Sequence, residues 1–131
     1  MKIMLDTNIL ISAFVFRSKT INQVIQRISN DHEIVIASYC IDELKAVIQQ
    51  KFNIDIIKVD NFLEKFPFRL VYSPIHIKEK IFDIRDECDY IILHTAIIEN
   101  VDILITGDKD FKDVDIKHPE ILSPREFLDK Y

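Results

Sequence analysis

Apolar positions along the chain fall into short continuous runs that alternate with stretches of helical spacing. KIMLD (2–6) reads as a strand that runs straight into Asp6, Thr7 and Asn8. Apolar sequence then resumes, and Asp6 is placed to cap a helix beginning near Ile9. TINQVIQRI sets Ile21, Val24, Ile25 and Ile28 at the i, i+3, i+4, i+7 spacing of one helical face. EIVIAS (33–38) reads as a buried strand, and IDELKAVIQQKF (41–52) as a helix with Ile41, Leu44, Val47 and Ile48 inward. DIIKVDNFLEKF (55–66) reads as a further helix ending before Pro67, and RLVYS (69–73) as a short strand closed by Pro74. DYIILHTAIIEN (89–100) is helical, with Ile92, Ala96 and Glu99 in one column. DILITG (102–107) is the clearest strand; EILSP (120–124) is a last strand and REFLDKY (125–131) a terminal helix. Between them, IHIKEKIFDIRDE (75–87) reads either as a short helix or as an irregular connection.

Strands separated by helices mean βαβ units and a mainly parallel sheet, so the class is α/β. A length of 131 residues with 48% hydrophobic content fits one core, and a single domain over 1–131 is expected. The sequence contains no Gly/Ser linker, repeat or low-complexity tract. No apolar run approaches the roughly 18–20 residues that cross a bilayer. Nor does an apolar segment followed by small residues mark a signal peptide. A cytoplasmic protein without membrane contact is the expectation.

Composition removes several chemistries. With one glycine, the chain cannot hold a dinucleotide fingerprint, a P-loop or a G-x-S-x-G elbow. That glycine, Gly107 in ITGDKDF, is expected to serve a positive φ or a close backbone approach. Cys40 and Cys88 are far apart and read as small core residues, and the four histidines show no metal-ligand spacing.

The acids are more informative. Asp6 ends the first strand, and Asp108 and Asp110 follow DILIT. Glu43 lies near the start of the helix after EIVIAS, and Asp86 and Asp89 lie at the start of the helix before DILIT. In open α/β sheets the carboxyl ends of the strands form the ligand crevice, so these acids are directed to one rim. Each also has a plain structural use: Asp6 as a cap, Asp86, Glu87 and Asp89 beside a helix dipole, Asp108 in an Asx-turn, Glu43 as a solvated residue. Taken together they form a set of like charges that a cation would neutralise, and hard oxygen ligands suit Mg²⁺ or Mn²⁺. On periodicity alone Asp42 and Glu43 are equivalent candidates.

DTNIL after the first strand, S-x-x-x-x-E-L in SYCIDEL, R-D-x-x-D before a helix and T-G-D-K-D-F after a strand resemble the PIN domain. The resemblance runs through the closing ILSPREFL, and is nearest to the branch of toxins from toxin–antitoxin systems. It implies a three-layer α/β/α sandwich with a mainly parallel central sheet, and a metal-dependent nuclease that usually acts on RNA. It also implies Asp6, Glu43, Asp89 and Asp108 as catalytic and metal-binding residues, with one or two Mg²⁺ or Mn²⁺ ions. Asp110 fits a secondary acidic position, and Asn8 and Thr106 fit polar positions that orient ligands or water. Relatives usually carry Pro where this chain has Glu87, which leaves Asp86 as a rival to Asp89 for the third ligand. A cognate antitoxin and self-association into a homodimer are implied as partners.

The function expected is metal-assisted hydrolysis of RNA phosphodiesters, which requires no side-chain nucleophile. The net charge of −5 opposes a nucleic-acid partner, but two divalent ions at the acids would bring it to about −1. Arg17, Lys19, Lys45, Lys109 and Lys112 lie near the rim, either as solvated surface or as phosphate contacts. Phe14 and Phe16 read as core residues, with stacking on a base as the alternative. A receiver domain lacks support because Thr7 follows Asp6 and RLVYSP supplies no acid; DTNIL also fails the D-x-D-x-T pattern of haloacid-dehalogenase-like phosphatases. An inactive PIN fold used for binding, and a nuclease acting on DNA, remain as alternatives.

Overall fold

The computed structural model describes residues 1–74 and 80–131. Its five strands are β1 (Lys2–Leu5), β2 (Glu33–Ala37), β3 (Arg69–Val71), β4 (Ile103–Ile105) and β5 (Glu120–Leu122). They form one sheet in the order β3-β2-β1-β4-β5, and every neighbouring pair is parallel. Among the described residues the helices are α1 (Thr7–Phe14), α2 (Lys19–Asp31), α3 (Ser38–Phe52), α4 (Ile56–Leu63), α5 (Glu87–Ile98) and α6 (Pro124–Lys130).

Central strand β1 shows why the sheet is covered on both faces. Side chains alternate sides along a strand, yet Ile3, Met4 and Leu5 are all fully buried. The same holds for Ile34, Val35 and Ile36 of β2 and for Ile103, Leu104 and Ile105 of β4. Continuous apolar runs of this kind belong to parallel strands packed between helical layers, giving the α/β/α sandwich. The helical stripe Ile21, Val24, Ile25 and Ile28 is buried as its spacing requires, and Leu44 and Ile48 carry the inner face of α3.

The strand order reverses at β1. From there the chain moves outward through β2 to β3, then returns to the other side of β1 with β4 and β5. The crevice between the carboxyl ends of β1 and β4 is therefore the topological switch point, where ligands bind in open α/β sheets.

Several sequence expectations need correction. Cys88 is exposed on the first turn of α5, while Cys40 is buried as expected. Gly107 has no positive φ, and a Cβ built there meets nothing within 4 Å. Left-handed backbone falls instead on Arg17, Asn53 and Asn100. Asn53 is the C-cap of α3 and Asn100 follows the C-cap of α5, so asparagine fills the place glycine usually takes after a helix. Phe14 packs against the core, but Phe16 is 67% exposed with its edge toward Phe52. Helix α1 begins at Thr7 rather than near Ile9. Residues 75–79 of the uncertain stretch lie outside the described residues, and 80–86 form neither helix nor strand before α5.

Candidate metal centre

Asp6 is fixed by the backbone on both sides of it. Its N–H donates to the Ile105 carbonyl at 3.1 Å, extending the β1–β4 pairing by one residue. Its carboxylate then caps α1, with Oδ1 accepting from the Thr7 N–H at 2.7 Å. Across the switch point, Thr106 Oγ1 donates to Asp6 Oδ2 at 2.7 Å. The Thr106 hydroxyl accepts in turn from the Asp108 N–H at 3.0 Å, and Asp108 Oδ1 accepts from the Asp110 N–H at 2.9 Å. This chain of bonds joins the end of β1 to the 3₁₀ helix Lys109–Asp113 and sets the direction of three acids. A carboxylate offers about four lone-pair sites, so Asp6 retains about two for a ligand.

The electrostatics match an unneutralised acid cluster. Asp6 is only 3% exposed. Burial raises its pKa to about 6 against the lowering bonds from Thr106 and Thr7, and the Glu43 and Asp108 carboxylates push the same way as burial. Burial likewise lifts Asp89 to about 7, with Asp108, Asp86 and Asp6 adding repulsion. One ligand oxygen each from Asp89, Asp108 and Asp110 lies within 4.8 Å of the others. Arg85, 90% exposed, reaches Asp110 Oδ2 at 3.9 Å, too far and too solvated to discharge three acids.

The sequence-derived acids thus divide by position. Asp89, Asp108 and Asp110 form a tight trio, in which Asp110 stands as close as the two acids ranked before it. Asp6 and Glu43 lie outside that trio: Asp6 is within electrostatic reach of Asp89 and Asp108, and Glu43 within reach of Asp6. Glu43 is half-buried and Asp42 exposed, which separates the two candidates on α3. Asp86 is exposed and spends a carboxylate oxygen on the Cys88 N–H at 2.7 Å, capping α5. Asn8 is exposed on the first turn of α1. Of the basic residues, Lys45 pairs with Asp60 and Lys112 with Glu126, while Lys109 is exposed between the two acids of the 3₁₀ turn. Sequence reading passed over Arg85, which the irregular approach to α5 brings against Asp110, and Tyr39, whose hydroxyl reaches Glu43.

The donor set fits a hard divalent cation. The ligand atoms of the trio are all carboxylate oxygens, and both Asp89 within it and Asp6 beside it carry pKa values raised by burial and mutual repulsion. Sulfur and imidazole are absent from this group, which separates it from zinc sites.

A search among curated proteins gives no match. Among solved structures, a chain of VapBC2 from Rickettsia felis, crystallised bound to a DNA fragment from the promoter, superposes with a TM-score of 0.72 at 23% identity. The match covers 94% of this chain and 98% of that one. VapC20 of Mycobacterium tuberculosis, a sarcin–ricin loop cleaving toxin, superposes with a TM-score of 0.58 at 10% identity, over 84% of this chain and 92% of that one. At such identities the likeness is one of fold. The sequence itself carries the stronger finding: the PIN domain family model matches residues 2–110, and the chain belongs to the PIN domain family.

Proposed function

We propose that this protein is a divalent-cation-dependent endoribonuclease and the toxin half of a toxin–antitoxin pair. The observation that carries the reading is the convergence of Asp89, Asp108 and Asp110 within 4.8 Å, beside buried Asp6, in a PIN domain. Asp6, Glu43, Asp89 and Asp108 would hold one or two Mg²⁺ or Mn²⁺ ions, with Asp110 as an added ligand. When bound, such an ion would supply water activation and charge compensation at a phosphate. Thr106 fixes the Asp6 carboxylate through Oδ2, and the Asp108 N–H fixes the Thr106 hydroxyl. Among the described residues, Lys109 and Arg85, both exposed and beside the acids, are available to a flanking phosphate.

The described solved neighbours support the toxin part of the reading: one is a toxin that cleaves the sarcin–ricin loop, the other comes from a VapBC complex on promoter DNA. A cognate antitoxin is the expected partner, a homodimer the expected assembly, and the cytoplasm the expected location. No helix among the described residues is long and apolar enough to cross a membrane.

The test is cleavage of end-labelled RNA, and of single-stranded DNA of the same sequence, by purified protein with Mn²⁺, Mg²⁺ or EDTA. RNA cut with either ion and intact in EDTA or with Asp6→Asn is the expected result. Cleavage that persists in EDTA, or that Asp6→Asn leaves unchanged, overturns the reading. DNA cut in preference to RNA reassigns the substrate.

A further inference from the structure

Glu43 stands apart from the aspartate trio and is met by a side chain the preceding reading does not use. Tyr39 lies one helical turn earlier on α3, so the two share a face. Its hydroxyl is placed to donate to Glu43 Oε2 at 3.4 Å, and it also faces the Cys88 thiol next to Asp89 on α5. The hydroxyl thus sits between the two helices that carry Glu43 and Asp89.

Tyr39 is itself held. Helix α3 has Ala37 at its N-cap and no capping side chain of its own. The Tyr39 N–H donates instead to Ser73 Oγ, beyond β3, at 3.3 Å, and the Ser73 N–H donates back to Ser38 Oγ at 2.9 Å. The ring packs against the core. A phenol keeps its proton at neutral pH, so the hydroxyl is a donor. The separation from Glu43 exceeds the usual O–H···O range of about 2.5–3.0 Å, and such contacts tighten when a site is loaded.

We propose that Tyr39 is a positioning residue for Glu43, its hydroxyl orienting the carboxylate toward a cation shared with the aspartates. The inference rests on the reading of Glu43 as a cation ligand. Groups that orient metal ligands from behind typically change metal affinity by about 10–100-fold when removed, and a half-buried, long contact belongs at the low end.

The test is calorimetric titration of Mn²⁺ into wild type, Tyr39→Phe, Glu43→Gln and the double variant, with thermal melts of the metal-free proteins. Tyr39→Phe is expected to bind Mn²⁺ about tenfold more weakly. Its metal-free melting should match wild type, because the ring still packs. In the Glu43→Gln background the same change should add nothing, since its effect passes through Glu43. Wild-type affinity in Tyr39→Phe with weakened binding in Glu43→Gln overturns the role of Tyr39 alone. Equal losses from Tyr39→Phe in both backgrounds overturn it too, because the effect then bypasses Glu43. Glu43→Gln binding like wild type removes Glu43 as a ligand, and this inference with it.

Discussion

Asp6 and Asp89 carry the same functional group above its ordinary pKa, but the molecule holds them in different ways. Asp6 sits at the switch point, with both oxygens bonded and its backbone inside the sheet pairing. Asp89 sits on the first turn of α5, half-buried, with carboxylates as its neighbours and the helix cap supplied by Asp86. A carboxylate at a strand end is oriented by the same bonds that form the fold. One on a helix start is oriented by how that helix packs, and its approach can vary without disturbing the sheet. Substitutions at the two positions should therefore differ in kind.

The largest effect should come from Asp6. Asp6→Asn is expected to abolish Mn²⁺ binding by calorimetry and RNA cleavage together, while still capping α1, since Asn is as good an N-cap as Asp. Asp6→Ala should lose both functions and melt below Asp6→Asn by about 1 kcal/mol, the usual worth of a cap. Equal stability of the two variants would mean that the Thr7 bond contributes nothing.

A pH series is the next probe. A carboxyl whose folded pKa is raised binds its proton more tightly when folded, so its penalty is absent below pH 3.8 and complete above the folded value. For Asp6 that window runs from 3.8 to about 6, and for Asp89 from 3.8 to about 7. Metal-free protein should therefore lose stability as pH rises from about 4 to about 7, by about 3 kcal/mol for Asp6 alone. Asp6→Asn should flatten much of the decline, and saturating Mn²⁺ at pH 7.5 should reverse it in wild type. A flat profile in wild type would contradict the crowding of these acids.

The start of α5 gives a smaller contrast. Asp86→Ala should cost about 1 kcal/mol through the lost bond to the Cys88 N–H, and leave Mn²⁺ affinity nearly intact. Asp89→Asn should do the reverse, raising metal-free stability at pH 7.5 and weakening Mn²⁺ binding. Both are read by thermal melts and calorimetry. Ser73→Ala is the mildest change: loss of the borrowed cap on α3 should lower stability by about 0.5–1 kcal/mol.

What could be read from the sequence follows the range of the interactions involved. Strands with every residue apolar, and helices with one apolar face, announce themselves within a few residues, and so did the delivery of Asp6 and Asp108 to one rim. Helix α5 was harder. YIILHTAII is apolar nearly all round, as suits a helix buried on most sides, so periodicity could not say that Cys88 faces out. The exposure of Phe16 likewise depends on where Phe52 lands. Ser73 capping α3 and Arg85 reaching Asp110 join residues distant in the chain or set by an irregular segment. No local pattern encodes them. The assumption that a solitary glycine must answer a backbone need failed because asparagine met those needs elsewhere.

That spare glycine has a practical use. Beside Asp108, at the lip of the acid cluster, Gly107 has ordinary dihedrals and open space where a side chain would begin. Position 107 can thus bear a reporter. A fluorophore attached through Gly107→Cys, with the exposed thiol of Cys88 first removed as Cys88→Ser, would sit over the cleft and follow cation and nucleic acid arriving in real time.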